Sequence, residues 1–169
     1  MEKQIIQTQT SPVSSEELLK HWQEHRRLTP KVILAFPEDK LFTHTIGGMR
    51  PFSEMVWEMI HIAAPGIHGM VTGEWIQIEE MNQFAKITKP TSRKGLLRIW
   101  DEITDLINKE WSKIPTERFH EVDKAYGQYE GTITSFLFYF IDNEIHHRGQ
   151  GYVYLRSLDI APPHFWERD

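Results

Sequence analysis

Apolar residues recur at helical spacing in four stretches of the chain, and these stretches predict four long helices. In the first, Ser14 and Glu17 form a capping box, and Leu18 and Trp22 follow on one side of the expected helix. Pro30 lies inside this pattern. Because proline removes a backbone donor and crowds the preceding turn, we expect it to kink the helix or to restart it.

Three further helices are predicted downstream, each opened by a residue suited to a helix N-terminus. Their expected ranges are 52–64 after Pro51, 91–113 capped by Thr91 and Ser92, and 131–158 opened by Gly131 and Thr132. Pro65 and Gly66 should bend or end the second helix. No alternation of period two persists anywhere, so we expect residues 41–50 and 115–130 to be connections without strands.

Four helical patterns with short to moderate connections are typical of an all-α four-helix bundle. The 169 residues suit a single domain that can bury a sizeable core. We predict that residues 1–13 form an extended N-terminal arm. Residues 159–166 lack a helical pattern but carry large apolar side chains, so this tail is expected to pack back on the body.

The last predicted helix carries polar residues inside an apolar stripe. A rotation of about 100° per residue aligns Phe136, Phe140, Asn143, His147 and Tyr154. Two ligand-type side chains one turn apart, facing the interior, are how helical bundles build metal sites. This pattern indicates where chemistry would occur, and it says less about which chemistry.

The opposite side of the same helix is also apolar, at Phe138, Ile145, Gly149 and Tyr152. A helix that is apolar on two opposite sides must be covered on both of them. We therefore predict a homodimer whose interface includes Phe138, Ile145 and Tyr152. The alternative is that the N-terminal arm or the C-terminal tail covers this side.

Composition narrows the classes of partner and ligand. The chain has no cysteine, so a transition-metal site must use histidine, carboxylate, amide or water ligands. A formal charge of −5 without a block of Lys or Arg argues against a nucleic-acid backbone as partner. The first residues lack a secretory signal, and the longest apolar run, 136–141, is too short to span a membrane, so we expect a cytoplasmic protein.

Histidines are the strongest candidates for site residues, and each has a structural alternative. His147 suits a metal ligand or a general base, or else a buried histidine with a satisfied hydrogen bond. Asn143 is a weaker ligand because its amide is neutral. Glu144 lies about 60° from the stripe and could reach the site, whereas His146 points about 100° away and should be exposed or behind the site. His61 lies on the polar face of the second helix, where a partly solvated histidine is expected.

The segment Asp142–Gln150, DNEIHHRGQ, together with the ending APPHFW at 161–166, resembles the last helix and tail of the DinB/YfiT-like superfamily. Residues 52–62 and 18–27 are similar to its second and first helices. The resemblance implies an up-down-down-up four-helix bundle, commonly dimeric. It also implies a divalent metal, often nickel or zinc, that is held by three histidines.

Placed on this chain, the three ligand positions of the family are His61, Asn143 and His147, with asparagine where the pattern calls for histidine. Asn143 oxygen, Glu144, water or substrate would then have to complete the metal's coordination, with Arg148 or Gln150 in support. The resemblance implies a metal-dependent enzyme that transfers a low-molecular-weight thiol to an electrophile or hydrolyses a small substrate. The alternative is a non-catalytic, metal-poor dimer that binds small molecules or takes part in a stress response.

Overall fold

A computed structural model describes residues 13–169, and the described chain is mainly helical. The predicted extended arm, apart from Val13, lies outside the described residues. The α-helices are α1 (Ser15–Ala35), α2 (Glu38–Thr43), α3 (Phe52–Thr72), α4 (Arg93–Trp111) and α5 (Ile133–Ser157). Short 3₁₀ turns at Ile78–Glu80, Asn82–Phe84 and Thr116–His120 lie in the connections. No helix among residues 13–169 is long and apolar enough to cross a membrane.

Two prolines lie inside helices that continue past them. The capping box is present, since Ser14 Oγ accepts from the Glu17 amide at 3.1 Å, and α1 then runs through Pro30 without a restart. Helix α3 runs through Pro65 to Thr72, so Pro65 does not end it, and the helix stops at Gly73 instead. Pro65 and its neighbours are buried, and tertiary packing outweighs the local cost of the proline.

The expected loop after α1 contains a short helix. Pro37 precedes α2, and Glu38 and Asp39 occupy its first turn, where acidic side chains are favourable. Leu41 is fully buried and holds the helix against the core. With only six residues, α2 is too short to show a helical period in the sequence.

The expectation of no strands is also wrong. An antiparallel hairpin pairs β1 (Val122–Ala125) with β2 (Tyr129–Thr132) in the connection before α5. Tyr126 and Gly127 both adopt positive φ in the turn, which suits the right-handed twist of a hairpin. Each strand is only four residues long, so alternation has no length over which to become visible.

The four long helices pack in a closed ring of neighbours: α1 contacts α4 and α5, and α3 contacts the same two helices. The core between them is rich in large side chains such as Trp22, Trp100 and Phe52, all fully or nearly fully buried. The C-terminal tail binds α1 through its backbone, since Lys31 Nζ donates to the Glu167 carbonyl at 2.9 Å. However, Phe165 and Trp166 stay about 60% exposed, so packing of their rings on the body is not observed.

The two sides of α5 differ as the sequence pattern indicated. Phe136, Phe140, His147 and Tyr154 are buried against the other helices. On the other side, Phe138 is 48% exposed and Ile145 is 38% exposed in the described part of the chain. The tail does not cover these two residues and instead lies beside Tyr152, one end of the predicted interface.

Candidate functional site

Helices α3 and α5 pack together and place a carboxylate against the polar residues of the α5 stripe. Glu58 Oε1 on α3 lies 2.9 Å from His147 Nε2 and accepts a hydrogen bond from Asn143 Nδ2 at 3.3 Å. Asn143 and His147 are one turn apart, so both reach the same oxygen. The side chain of Glu58 is 32% exposed, which places this cluster near solvent.

The second oxygen of Glu58 binds a cation from the loop that precedes α3. Arg50 Nη2 donates to Glu58 Oε2 at 2.5 Å. Partial burial raises the pKa of Glu58, but hydrogen bonds from Arg50, His147 and Asn143 outweigh it and lower this pKa to about 2. Glu58 is therefore an ionised carboxylate at neutral pH.

The orientation of His147 is set from its other side. His147 Nδ1 lies 2.7 Å from Gln150 Oε1, one turn later on α5. An amide oxygen can only accept, so Nδ1 carries the hydrogen and Nε2 is directed at Glu58. An imidazole that donates one N–H to a protein oxygen and directs its other nitrogen into a site is the usual arrangement of a metal-ligating histidine.

Asn143 contacts Glu58 through its amide nitrogen and also has a buried amide oxygen. Its Oδ1 atom is shielded from solvent and has no hydrogen-bond partner in the part of the chain that the structure describes. A buried amide oxygen without a donor is costly, so a water or a ligand atom would be needed to satisfy it.

His61 is not part of this cluster. Its Nδ1 atom donates to the Trp57 carbonyl at 2.8 Å, and its Nε2 atom lies 3.3 Å from Glu79 Oε1. Its ring also packs against the Trp57 indole, with centroids 4.2 Å apart. Within residues 13–169 no hydrogen bond, ion pair or ring contact joins it to Asn143 or His147. The structure thus brings together two of the three site residues expected from the sequence.

Glu144 and Arg148, which directly follow Asn143 and His147 in the chain, face α1 instead of the site. Glu144 Oε1 accepts from Arg26 Nη1 at 2.5 Å and from Trp22 Nε1 at 3.3 Å. Burial raises the pKa of Glu144, and the Arg26 and Arg148 charges oppose this rise. Arg148 donates to His25 Nδ1 at 2.7 Å. Among the alternatives for supporting residues, Glu144 and Arg148 thus face α1, whereas Gln150 contacts His147.

Two residues of the cluster were not predicted. Glu58 is three residues before His61 and shares its polar face on α3, so the sequence contained a signal for it. A carboxylate one turn from a candidate histidine could have been weighed as a ligand. Arg50 had no comparable signal, because its approach to Glu58 depends on how the loop enters α3.

The donors present fit a divalent cation of the zinc and nickel class. No three His, Asp or Glu side chains meet as a possible metal cluster within residues 13–169. The available set is mixed: the Glu58 carboxylate, the His147 imidazole and the Asn143 amide oxygen. Carboxylate and imidazole are established zinc ligands, and three protein ligands would leave a position open. The set expected from the sequence, with His61 as the third ligand, stays a prediction, because no contact among residues 13–169 joins His61 to Asn143 or His147.

Fold and site together define the class: a helical protein of four long, mutually packed helices with a carboxylate–imidazole–amide cluster between two of them. The model of the DinB family matches residues 7–168, nearly the whole chain. This protein therefore belongs to the DinB family.

Solved structures show the same fold. A DinB-like protein from Bacillus cereus ATCC 10987 is similar with a TM-score of 0.69 and 19% identity, over 88% of this chain and 95% of that one. A DinB-like protein from Bacillus subtilis, YjoA, is similar with a TM-score of 0.69 and 17% identity, over 90% and 99% of the two chains. A search of curated proteins yields no significant match.

Proposed function

We propose that this protein is a DinB-family metalloenzyme that binds a divalent metal, nickel or zinc, between α3 and α5. Glu58, Asn143 and His147 would hold the metal, and the four long helices would form an up-down-down-up bundle around it. The reaction would be transfer of a low-molecular-weight thiol to an electrophile, or hydrolysis of a small substrate.

The observation that carries this proposal is the approach of His147 Nε2 to Glu58 Oε1 at 2.9 Å. With Nδ1 donating to Gln150, Nε2 is the nitrogen that faces the ionised carboxylate of Glu58. A bare nitrogen lone pair and a carboxylate oxygen would repel each other at this distance, so either a proton on Nε2, in a hydrogen bond, or a metal ion bound to both atoms would join them. Asn143 now donates to Glu58 through Nδ2, and its unpaired Oδ1 would have to turn toward the ion to serve as a third ligand.

A metal with an open position would supply a nucleophile at neutral pH by lowering the pKa of bound water or thiol. The protein residues supply charge and orientation. Glu58 provides the negative charge that attracts the cation, and Gln150 fixes the tautomer and the ring plane of His147. The absence of cysteine is consistent with a thiol that comes from the co-substrate.

A second candidate, a metal-free binding pocket, is favoured by the ion pair that already neutralises Glu58. Arg50 occupies Oε2, and a proton on His147 Nε2 would complete the ion pair at Oε1. In that case the protein would be a non-catalytic, metal-poor binder of small molecules whose metal site has been lost with the histidine that Asn143 replaces.

Metal titration of protein purified without a histidine tag separates the two candidates. For the metalloenzyme, wild type should take up nickel or zinc in near-stoichiometric amount. Glu58→Gln and His147→Gln should weaken that affinity by roughly tenfold or more, because each removes a ligand. The measurement is isothermal calorimetry, with metal content of the dialysed protein as a check.

The control is His61→Gln, because the His61 ring contacts Trp57 and Glu79 rather than the cluster. It should keep wild-type metal affinity. Substoichiometric metal in wild type after incubation, combined with a gain of binding in Asn143→His, would establish the metal-free candidate instead. Equal occupancy of wild type and Asn143→His would count against that candidate.

A further inference from the structure

The guanidinium of Arg50 is only partly used by the protein. One of its five N–H donors binds Glu58, and no other side-chain partner of Arg50 exists among residues 13–169. The side chain is 49% exposed, so part of it is accessible to a ligand. A planar guanidinium with a free edge is suited to bind a carboxylate or phosphate through two parallel hydrogen bonds.

The backbone of Arg50 is held while its side chain stays accessible. Tyr154 Oη on α5 donates to the Arg50 carbonyl at 2.8 Å, and this anchors the end of the loop against the bundle. The preceding Met49 contacts the amide of Gln150, the residue that orients His147. The loop therefore places the free edge of the guanidinium beside the cluster at a defined position.

We propose that Arg50 determines substrate class by anchoring an oxyanion, a carboxylate or phosphate of the small-molecule ligand, next to Glu58. The location of the reacting centre rests on the proposed function, but the anion anchor itself does not need a metal. Arg50 binds the oxyanion with the donors that Glu58 leaves free, and it can also exchange its exposed ion pair for the new one at low cost.

Glu58 links the anion to the cation. Its negative charge competes with an incoming oxyanion for the guanidinium and repels it as well. A cation that neutralises Glu58 removes both effects, so a cation at Glu58 and an anion at Arg50 should strengthen each other's binding reciprocally. The pair would then favour ligands that carry an anionic group within reach of the metal.

The anchor is tested on metal-free protein with inorganic phosphate and with benzoate as probes. Chemical shifts of the Arg50 side chain and of α3 amides report binding in NMR titrations. Glu58→Gln removes the competing charge and should tighten anion binding by roughly fivefold relative to wild type. Tighter binding of phosphate would indicate phosphate ligands for Arg50, and tighter binding of benzoate would indicate carboxylate ligands.

Arg50→Gln, alone and combined with Glu58→Gln, should abolish the saturable shifts. The matched control is Arg98→Gln, which removes an exposed arginine paired with Glu102 at the same 2.5 Å distance on α4 and should change nothing. Saturable shifts that persist in Arg50→Gln, or no tightening in Glu58→Gln, would overturn the anchor.

Nickel titration of the same variants separates this inference from the proposed function. Arg50→Gln frees Glu58 Oε2 and should tighten nickel binding roughly two- to fivefold, whereas a merely structural Arg50 would weaken it on removal. If wild type binds no nickel and the anion pattern holds, the anchor stands and the metal proposal fails. If nickel binds and the anion pattern is absent, the metal proposal stands and the anion anchor fails.

Discussion

At the scale of single residues, the polar centre of α5 is divided between two neighbouring helices. Asn143 and His147 face Glu58 on α3, while Glu144 and Arg148 face α1. Removing ionised groups from water is costly unless they are paired, which explains why Glu144 meets Arg26 at 2.5 Å with both side chains almost fully buried. Half of this motif therefore holds the fold together, and the other half builds the candidate site.

The buried side chain of His25 should make the stability of the fold depend on pH. Burial, and then the charges of Arg148, Arg168 and His21, lower the pKa of His25 from 6.5 to about 3. Between these two pKa values His25 is protonated in the unfolded chain but not in the folded chain. The stabilising contribution is therefore fully present above about pH 6.5 and declines as pH falls toward 3. We expect a loss of roughly 2–3 kcal/mol between pH 7 and pH 4, measured by urea unfolding.

The variant that isolates this effect is His25→Asn, which keeps an acceptor for Arg148 without a titrating ring. Its unfolding free energy should vary much less between pH 7 and pH 4. His146→Asn, on the exposed side of α5, should retain the wild-type dependence. Parallel pH curves for wild type and His25→Asn would show that His25 is not the source.

At the scale of the element, α5 contains two glycines whose surroundings are opposite. A Cβ at Gly151 would lie 2.5 Å from the ring of Phe52, whereas a Cβ at Gly149 would meet nothing within 4 Å. Phe52 is fully buried and stacks on Phe36 at 5.2 Å, so it has little room to move. Gly151 is therefore required for the close approach of α5 to α3.

Alanine substitutions at these two glycines should change stability in opposite directions. Gly151→Ala should destabilise the fold by roughly 1–3 kcal/mol through overpacking. Gly149→Ala, in the same helix, should stabilise it by up to about 1 kcal/mol because alanine has the higher helix propensity. Urea unfolding of both variants measures this, and equal shifts in the two would contradict the packing explanation.

At the scale of the whole molecule, the exposed apolar side of α5 supports the proposed homodimer. Phe138→Asp and Ile145→Asp should produce folded monomers, since both side chains are exposed within one chain and a buried charge would oppose association. Sedimentation equilibrium measures the mass, and circular dichroism confirms folding.

Leu34→Asp is the control for the dimer test, because Leu34 is 56% exposed on α1 and does not belong to the proposed interface. It should leave the mass of wild type unchanged. A wild type that stays monomeric at high concentration, or dimers that persist in both α5 variants, would refute the interface.

Much of the helical architecture could be predicted from local pattern. Ser14 and Ser92 cap helices as expected, and the buried side of α5 follows its stripe. Pro65 left the end of α3 open in the sequence, and packing decided that the helix continues past it. Helix α2 and the hairpin were missed because four to six residues are too few to display a period.

The candidate site divides in the same way. Asn143 and His147 were predictable as neighbours, since one turn of helix aligns them whatever surrounds it. Glu58, and not His61, faces them because the rotation and axial position of α3 against α5 select one of two polar residues three positions apart. Arg50 reaches Glu58 only through the path of the loop.

The amino-acid sequence by itself determined which segments are helical, which sides of them are apolar and which residues lie one turn apart. These properties depend on hydrogen bonds and side-chain spacing within one element. Only the tertiary structure decided that Glu58 meets His147, that Arg50 joins them and that Glu144 turns toward Arg26. Such pairs depend on how whole helices are rotated and shifted against each other, which the periodicity of a single helix does not encode.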